Sequence, residues 1–177
     1  MPIPFSEADH IFKSTKRLLR PLIWDERIGA SKNDTRTCLE ARVEISGAVP
    51  RGVFFRVISH PGSLARLTFQ LEVEKTGSRL KLALYRFELS PARPHTNKLY
   101  GDDDINGVVI DAGVPHEHVF YDSLKADGEL RTRPDEQARI VTNPPTDFAT
   151  SLAYVCSRIS IINGGDIPPL RRQGALL

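Results

Sequence analysis

Cysteine is scarce in this chain, and its scarcity removes whole classes of protein. Only Cys38 and Cys156 occur among 177 residues, far apart, which excludes a disulfide framework and any paired-cysteine zinc knuckle. Both are expected as reduced, half-buried thiols. No apolar run approaches the roughly 20 residues that span a bilayer, so no membrane association is expected. The start, MPIPFSEADHIFKSTKRLLR, lacks the basic-then-apolar order of a secretion signal, and the expected compartment is cytoplasmic. Asn33-Asp34-Thr35 then reads as a turn and not as a glycosylation acceptor. A large charge of one sign is missing too. The formal net charge of +2 is too small to argue nucleic-acid binding by itself. The local clusters Lys13, Lys16, Arg17 and Arg20, Arg131, Arg133 and Arg139, and Arg171 and Arg172 read as solvated faces. Glycine-rich phosphate loops, dinucleotide fingerprints and the G-x-S-x-G elbow are absent.

What is present fits one domain over residues 1–177, long enough to bury a core, with 166–177 expected as a mobile Pro- and Gly-rich tail. Ser6, with Asp9 three residues on, is the expected cap of a first helix. Its apolar positions run from Ala8 through Ile11, Phe12, Leu18 and Leu19 to Leu22. Strand-like alternation follows in TCLEARVEI, GVFFRVISH, SLARLTFQLEVEK and RLKLALYRFELS, with two shorter strands in GVVIDAG and HEHVFYDS. Short connections argue for an antiparallel meander. A second helix is expected over TDFATSLAYVCSRISII. Thr146 or Asp147 would cap it, Phe148, Leu152, Val155, Ile159 and Ile162 would form its stripe, and Asn163-Gly164-Gly165 would stop it. The expected fold is therefore α+β: a curved antiparallel meander of about six strands with an N-terminal and a C-terminal helix.

Chemistry concentrates between Arg93 and Ser123, which hold three of the five histidines. His116 and His118, two apart on a strand, project to one face with Cα atoms about 7 Å apart. Phe120 and Asp122 would share that face. The pair suits one divalent metal ion, with His95 or Asp111 as a third ligand. It equally suits acid–base work, because histidine titrates near neutrality. As strand-end residues, both are expected to be only partly buried. On the fourth strand Leu80, Leu82 and Leu84 share a face that continues with Arg86 and Glu88. Either the strand emerges there or a bulge flips its register, or else that face opens into a polar site where Arg86 meets anionic charge. Asp102, Asp104, Asn106 and Gly107 imitate half a calcium loop, but Gly113 stands where the bidentate Glu belongs, so an acidic hairpin turn is expected. His60 reads as an exposed strand end and His10 as part of the first helix.

The order LALYRFEL, PHTN, PHEHVFYDS and RISIIN resembles a family of short bacterial and phage proteins with an R-x-D/E strand, an H-x-N loop and an H-x-H-x-Y hairpin. It is also distantly similar to TumE-type toxins of toxin–antitoxin pairs. The resemblance covers about Leu80 to Asn163. It implies Arg86, Glu88, His95, His116 and His118 as catalytic positions, His116 and His118 as metal ligands, and Asn97 and Tyr121 as substrate-binding positions. Glu88 replaces the commoner Asp, and Tyr121 stands one residue late. The resemblance supplies no reaction; the first expectation for function is a small hydrolytic, toxin-like or defence protein acting on RNA, with an antitoxin-like or defence-system protein as partner. The competing expectation is a non-catalytic protein that binds a protein or nucleic acid, in which the histidines are structural.

Overall fold

The computed structural model describes residues 3–28, 35–60, 66–74, 81–100, 104–125, 128, 130–131 and 136–170. Asn33, Leu80, Asp102, Arg133, Arg171, Arg172 and the tail from 171 onward lie outside the described residues. Two helices, α1 (Phe5–Lys13) and α2 (Phe148–Arg158), accompany a largely antiparallel sheet, giving an α+β fold. The long strands are β3 (Thr35–Ile45), β4 (Val53–Ser59), β5 (Leu67–Glu74) and β6 (Lys81–Glu88). They pair in sequence as a meander, and β9 (His116–Val119) and β10 (Arg139–Ile140) extend it beyond β6. β1 (Lys16–Leu18) and β2 (Trp24–Ile28) both pair with β3 at the opposite edge. The expected strand at GVVIDAG is β8 (Val109–Ile110). It joins β7 (His95–Thr96) in a separate two-stranded ribbon outside the main sheet.

Both helices cover one face of the sheet. Phe12 of α1 packs on Tyr85 and Phe120, while Phe148 of α2 stacks on Phe69 and meets Trp24 edge-on. Phe55, Val57, Leu39, Leu71 and Phe87 complete this core, all with no exposed surface. Asp147 caps α2 by accepting the Thr150 N–H, and Thr150 returns a bond to the Asp147 backbone, which is worth about 1 kcal/mol.

The first helix is shorter than its periodicity predicts, because a tertiary strand outcompetes its last turn. Leu18 and Leu19 leave α1, and Leu18 pairs with Val43 on β3. The Lys16 side chain is fully buried, and its ammonium donates to the carbonyls of Phe12, Ser14 and Ile159 at 2.7–2.8 Å. The same contacts cut α2 short. Lys16 N–H donates to Ser160 O and Ile162 N–H to Lys16 O, so the helix ends at Arg158 and Ile162 turns outward. Nor does Ser6 cap α1, since Pro4 precedes the helix with no side-chain cap. Asp9 pairs instead with Lys13.

A β-bulge decides what lies on the other face. Between β5 and β6, Leu71 pairs with Tyr85 and Glu72 with Ala83, which leaves Leu84 as an extra residue. Leu84 and Tyr85 are consequently buried in succession, and every side chain beyond them changes face. Arg86 and Glu88 therefore do not extend the face of Leu82 and Leu84. They stand on the side away from the helices.

Candidate metal centre

Strand pairing places directly opposite residues on the same face. On the face away from the helices, one row runs Cys38, Ile58, Thr68, Glu88 and His116, and the next runs Glu40, Arg56, Gln70, Arg86 and His118. The bulge thus brings Arg86 opposite His118 and Glu88 opposite His116. Further along this face, Arg56 bonds Glu40 at 2.6 Å and reaches Glu72 at 3.1 Å, so the charges away from the site are paired with one another.

The β7–β8 ribbon carries His95 over this corner. The ring centroids of His95, His116 and His118 are 4.8–5.6 Å apart, and their ligand atoms all lie within 4.8 Å of one another. Contrary to the expectation of a partly exposed strand end, His116 is 0% and His118 3% exposed. His95 is half-buried.

Each ring spends one N–H on a backbone carbonyl. His116 Nδ1 donates to Val114 O at 2.9 Å, His118 Nδ1 to Gln137 O at 3.0 Å, and His95 Nε2 to Glu136 O at 3.3 Å. A carbonyl accepts only, so each of these nitrogens carries a proton, and Nε2 of His116 and His118 and Nδ1 of His95 are the ring nitrogens not tied to a carbonyl. Both Nε2 atoms are buried without a hydrogen bond. Glu88 Oε2 lies 3.1 Å from His116 Nε2, so of the two Nε2 atoms only that of His118 is without a close polar partner.

The local charges keep these groups in the right states for a metal ligand set. Burial first, then the Arg86 guanidinium and the other two rings, hold His118 well below the ordinary imidazole range, and burial with His116 lowers His95 as well. Burial alone would raise the Glu88 carboxyl. The neighbouring His116 ring and the paired Arg86 outweigh it and hold that carboxyl at about 2. The corner therefore holds two imidazoles, His95 and His118, that favour the neutral form beside an ionised carboxylate.

Buried polar atoms without partners are uncommon and costly, at roughly 1–3 kcal/mol each. One such atom, His118 Nε2, among three imidazoles each with a nitrogen held by a carbonyl, matches the arrangement of histidines that could hold a metal ion. The ligand atoms, within 4.8 Å of one another, would draw together slightly to bind one ion at the roughly 2.0–2.1 Å typical of histidine nitrogen. Imidazole donors favour zinc and its transition-metal neighbours over magnesium or calcium.

Two of the residues expected to bind substrate have other tasks. Asn97 is buried and its amide is fully used: Nδ2 donates to Ile105 O and Ala138 O, and Oδ1 accepts from Ala138 N–H. It splices the His95 segment to residues 136–138, whose carbonyls orient His95 and His118. Gln137 adds a second splice by donating to Lys98 O. Tyr121 is not at the site. The chain leaves the strand after Val119 and enters a 3-10 turn (Phe120–Ser123), which carries Phe120, Tyr121 and Asp122 off the histidine face. Tyr121 packs edge-on against Phe12 and donates to Asp9. Asp122 bonds Arg139, as does Asp104 from the acidic turn. Asp111, weighed as a third ligand, is exposed on the loop after β8.

Sequence reasoning passed over Glu117, which lies between the two histidines and points to the helix face. Its carboxylate accepts from Tyr85, Tyr154 and Arg158, which fastens β9 to α2. Burial and this carboxylate push the Tyr154 hydroxyl up to about 12, so it remains a donor. The alternation itself was the available signal, since a buried acid between two inward histidines needs partners from the other layer.

Beside Glu88 and His95 a cleft of about 490 Å³ opens. Among its lining residues are Arg36, Arg66, Arg86, Arg93 and His60. His60 is only half-buried and its ring lies 3.4 Å from the Thr68 hydroxyl, so it is a cleft wall and not a free strand end.

No family model, curated protein or solved structure matches the chain. Among the described residues, no helix is long and apolar enough to cross a membrane.

Proposed function

We propose that the protein is a divalent-metal-dependent hydrolase whose centre is His95, His116 and His118 with Glu88 beside them. One observation carries this: three imidazoles from two separate β-units converge with a ligand atom of each within 4.8 Å of the others, and each ring has one nitrogen tied to a carbonyl. A purely structural histidine cluster has no reason to leave the buried Nε2 of His118 without a partner.

A bound ion would lower the pKa of a water molecule toward neutrality and polarise an acyl or phosphoryl oxygen. The three histidines would hold it. Glu88, ionised throughout the physiological range, would offset its charge from the adjoining strand. Arg86 keeps Glu88 in place and faces the cleft, where it would stabilise anionic charge as the reaction proceeds. RNA, the substrate of the first functional expectation, is compatible with this arrangement.

The direct test is turnover of RNA and of an activated phosphodiester by chelator-treated protein, by protein reloaded with zinc or manganese, and by the reloaded His118→Ala variant. Activity confined to the reloaded wild type is expected. Protein that binds one ion per chain yet hydrolyses none of these substrates would overturn the hydrolase reading and favour a non-catalytic binding protein.

A further inference from the structure

The arginine-lined cleft shares His95 and Glu88 with the proposed metal centre, and the rest of its composition is selective. Four guanidiniums (Arg36, Arg66, Arg86 and Arg93) line it, and Glu88 is the carboxylate among its described lining residues. Arg66 and Arg93 add two positive charges to one concave space. Arg86 is engaged by Glu88. Arg66 and Arg93, by contrast, have no carboxylate partner among the described residues, although elsewhere on this face Arg56 and Lys81 are each paired with an acid. Guanidinium groups gathered without counter-charge raise one another's electrostatic energy, and a concave wall focuses that field. An anion relieves the energy, and the planar fork of arginine suits phosphate oxygens in particular.

The volume is informative as well. At about 490 Å³ the cleft lies within the range of roughly 300–1,000 Å³ typical of small-ligand pockets. It has room for more than a bare phosphate. Ser90 and Thr68 add hydroxyls to the wall, and the backbone from Ser90 to Pro94 forms one side. That segment leads directly into His95, so whatever occupies the cleft lies against the metal centre.

We infer that this cleft binds the phosphate group of a phosphate-ester substrate, with Arg66 and Arg93 as the anion-binding pair, and so presents the ester to the three histidines. The inference deepens the hydrolase reading and rests on it for the chemistry, but the anion site has its own readout. The phosphate could belong to a small phosphate ester or to a nucleic-acid strand, since both offer the same group to the arginines.

The test uses chelator-treated full-length protein, so that no metal contributes. Inorganic phosphate, a ribonucleoside monophosphate and a short single-stranded RNA are titrated calorimetrically into wild type, Arg66→Gln, Arg93→Gln, the double variant and Arg66→Lys/Arg93→Lys. Inorganic phosphate should bind the wild type, at least tenfold more weakly to the double Gln variant, and with partial rescue in the Lys variant. All affinities should fall with added salt. A monophosphate that binds as well as the RNA assigns the site to small esters, and RNA that binds more than tenfold tighter assigns it to a strand; either result supports the phosphate site. Zinc titration of the double Gln variant should match wild type. No phosphate binding to wild type, or equal binding by the double Gln variant, would overturn the anion site even if zinc binds normally. Phosphate binding without zinc binding would leave the anion site standing and overturn the metal reading.

Discussion

Replacing His118 by Ala should have different consequences in the presence and absence of a divalent ion, and the structure sets the size of each. The ring is 3% exposed, its Nδ1 donates to Gln137 O, and its Nε2 is bare. Without metal, the substitution loses that hydrogen bond and leaves a small void, together about 1–3 kcal/mol. It also removes a buried acceptor that had no partner, which offsets a similar amount. The chelated proteins should therefore differ by less than about 2 kcal/mol. With zinc at a hundred times its dissociation constant, the wild type gains about 2.7 kcal/mol by linkage, and the variant should lose most of that gain. Urea unfolding of both proteins, with chelator and with zinc, reads all four free energies. The reasoning is refuted if zinc stabilises wild type and variant equally. It is also refuted if the chelated variant is destabilised by 4 kcal/mol or more, since that would mark the ring as a structural member of the core.

Other consequences lie away from the ligand atoms. Asn97→Ala should weaken zinc binding by about tenfold or more, measured by competition with a chromogenic chelator, because the carbonyls behind His95 and His118 lose their splice. Lys16→Met should cost about 2–4 kcal/mol in urea unfolding, since three inward carbonyls lose one shared donor, while zinc affinity stays unchanged. Burial pushes the Cys156 thiol up to about 11, so alkylation at pH 8 should be far slower in native protein than in denatured protein, followed by mass shift. Rapid modification of native Cys156 would contradict the packing of α2 described above.

How much of this was legible beforehand depended on the range of the interactions involved. Alternation along β3, β4 and β5 reports burial against a neighbouring layer, which is local information, and the strands lie where that pattern predicts. Helix ends were misjudged where a distant partner intervened. The periodicity from Ala8 to Leu22 is real, yet Lys16 reaches carbonyls at Phe12, Ser14 and Ile159 at once, and nothing in a local pattern announces a contact across that separation. The bulge is a similar case. Leu82, Leu84, Arg86 and Glu88 alternate perfectly in sequence, and only the pairing with β5 shows that the register slips at Leu84. For the site, the H-x-H spacing located two imidazoles on one face, and proximity in the chain suggested His95. The loss of Tyr121 follows from a strand that ends at Val119, and the duty of Asn97 follows from backbone atoms of residues 105 and 138. The supporting carbonyls of Glu136 and Gln137 carry no side-chain signal at all. Arg66 meets Arg93 only because β5 and the segment after β6 border the same cleft.

The most direct test of the central claim is the stoichiometry and donor set of a bound ion. Chelator-treated protein is titrated with cobalt(II), whose visible absorption reports coordination, and then with zinc, and the metal content per chain is measured after gel filtration. One ion per chain is predicted, with a cobalt spectrum characteristic of nitrogen and oxygen donors that zinc displaces. Single Ala variants at His95, His116 and His118 should each weaken binding, and calcium should not compete. Wild type that retains no more cobalt or zinc than a folded variant lacking all three histidines would contradict the claim outright.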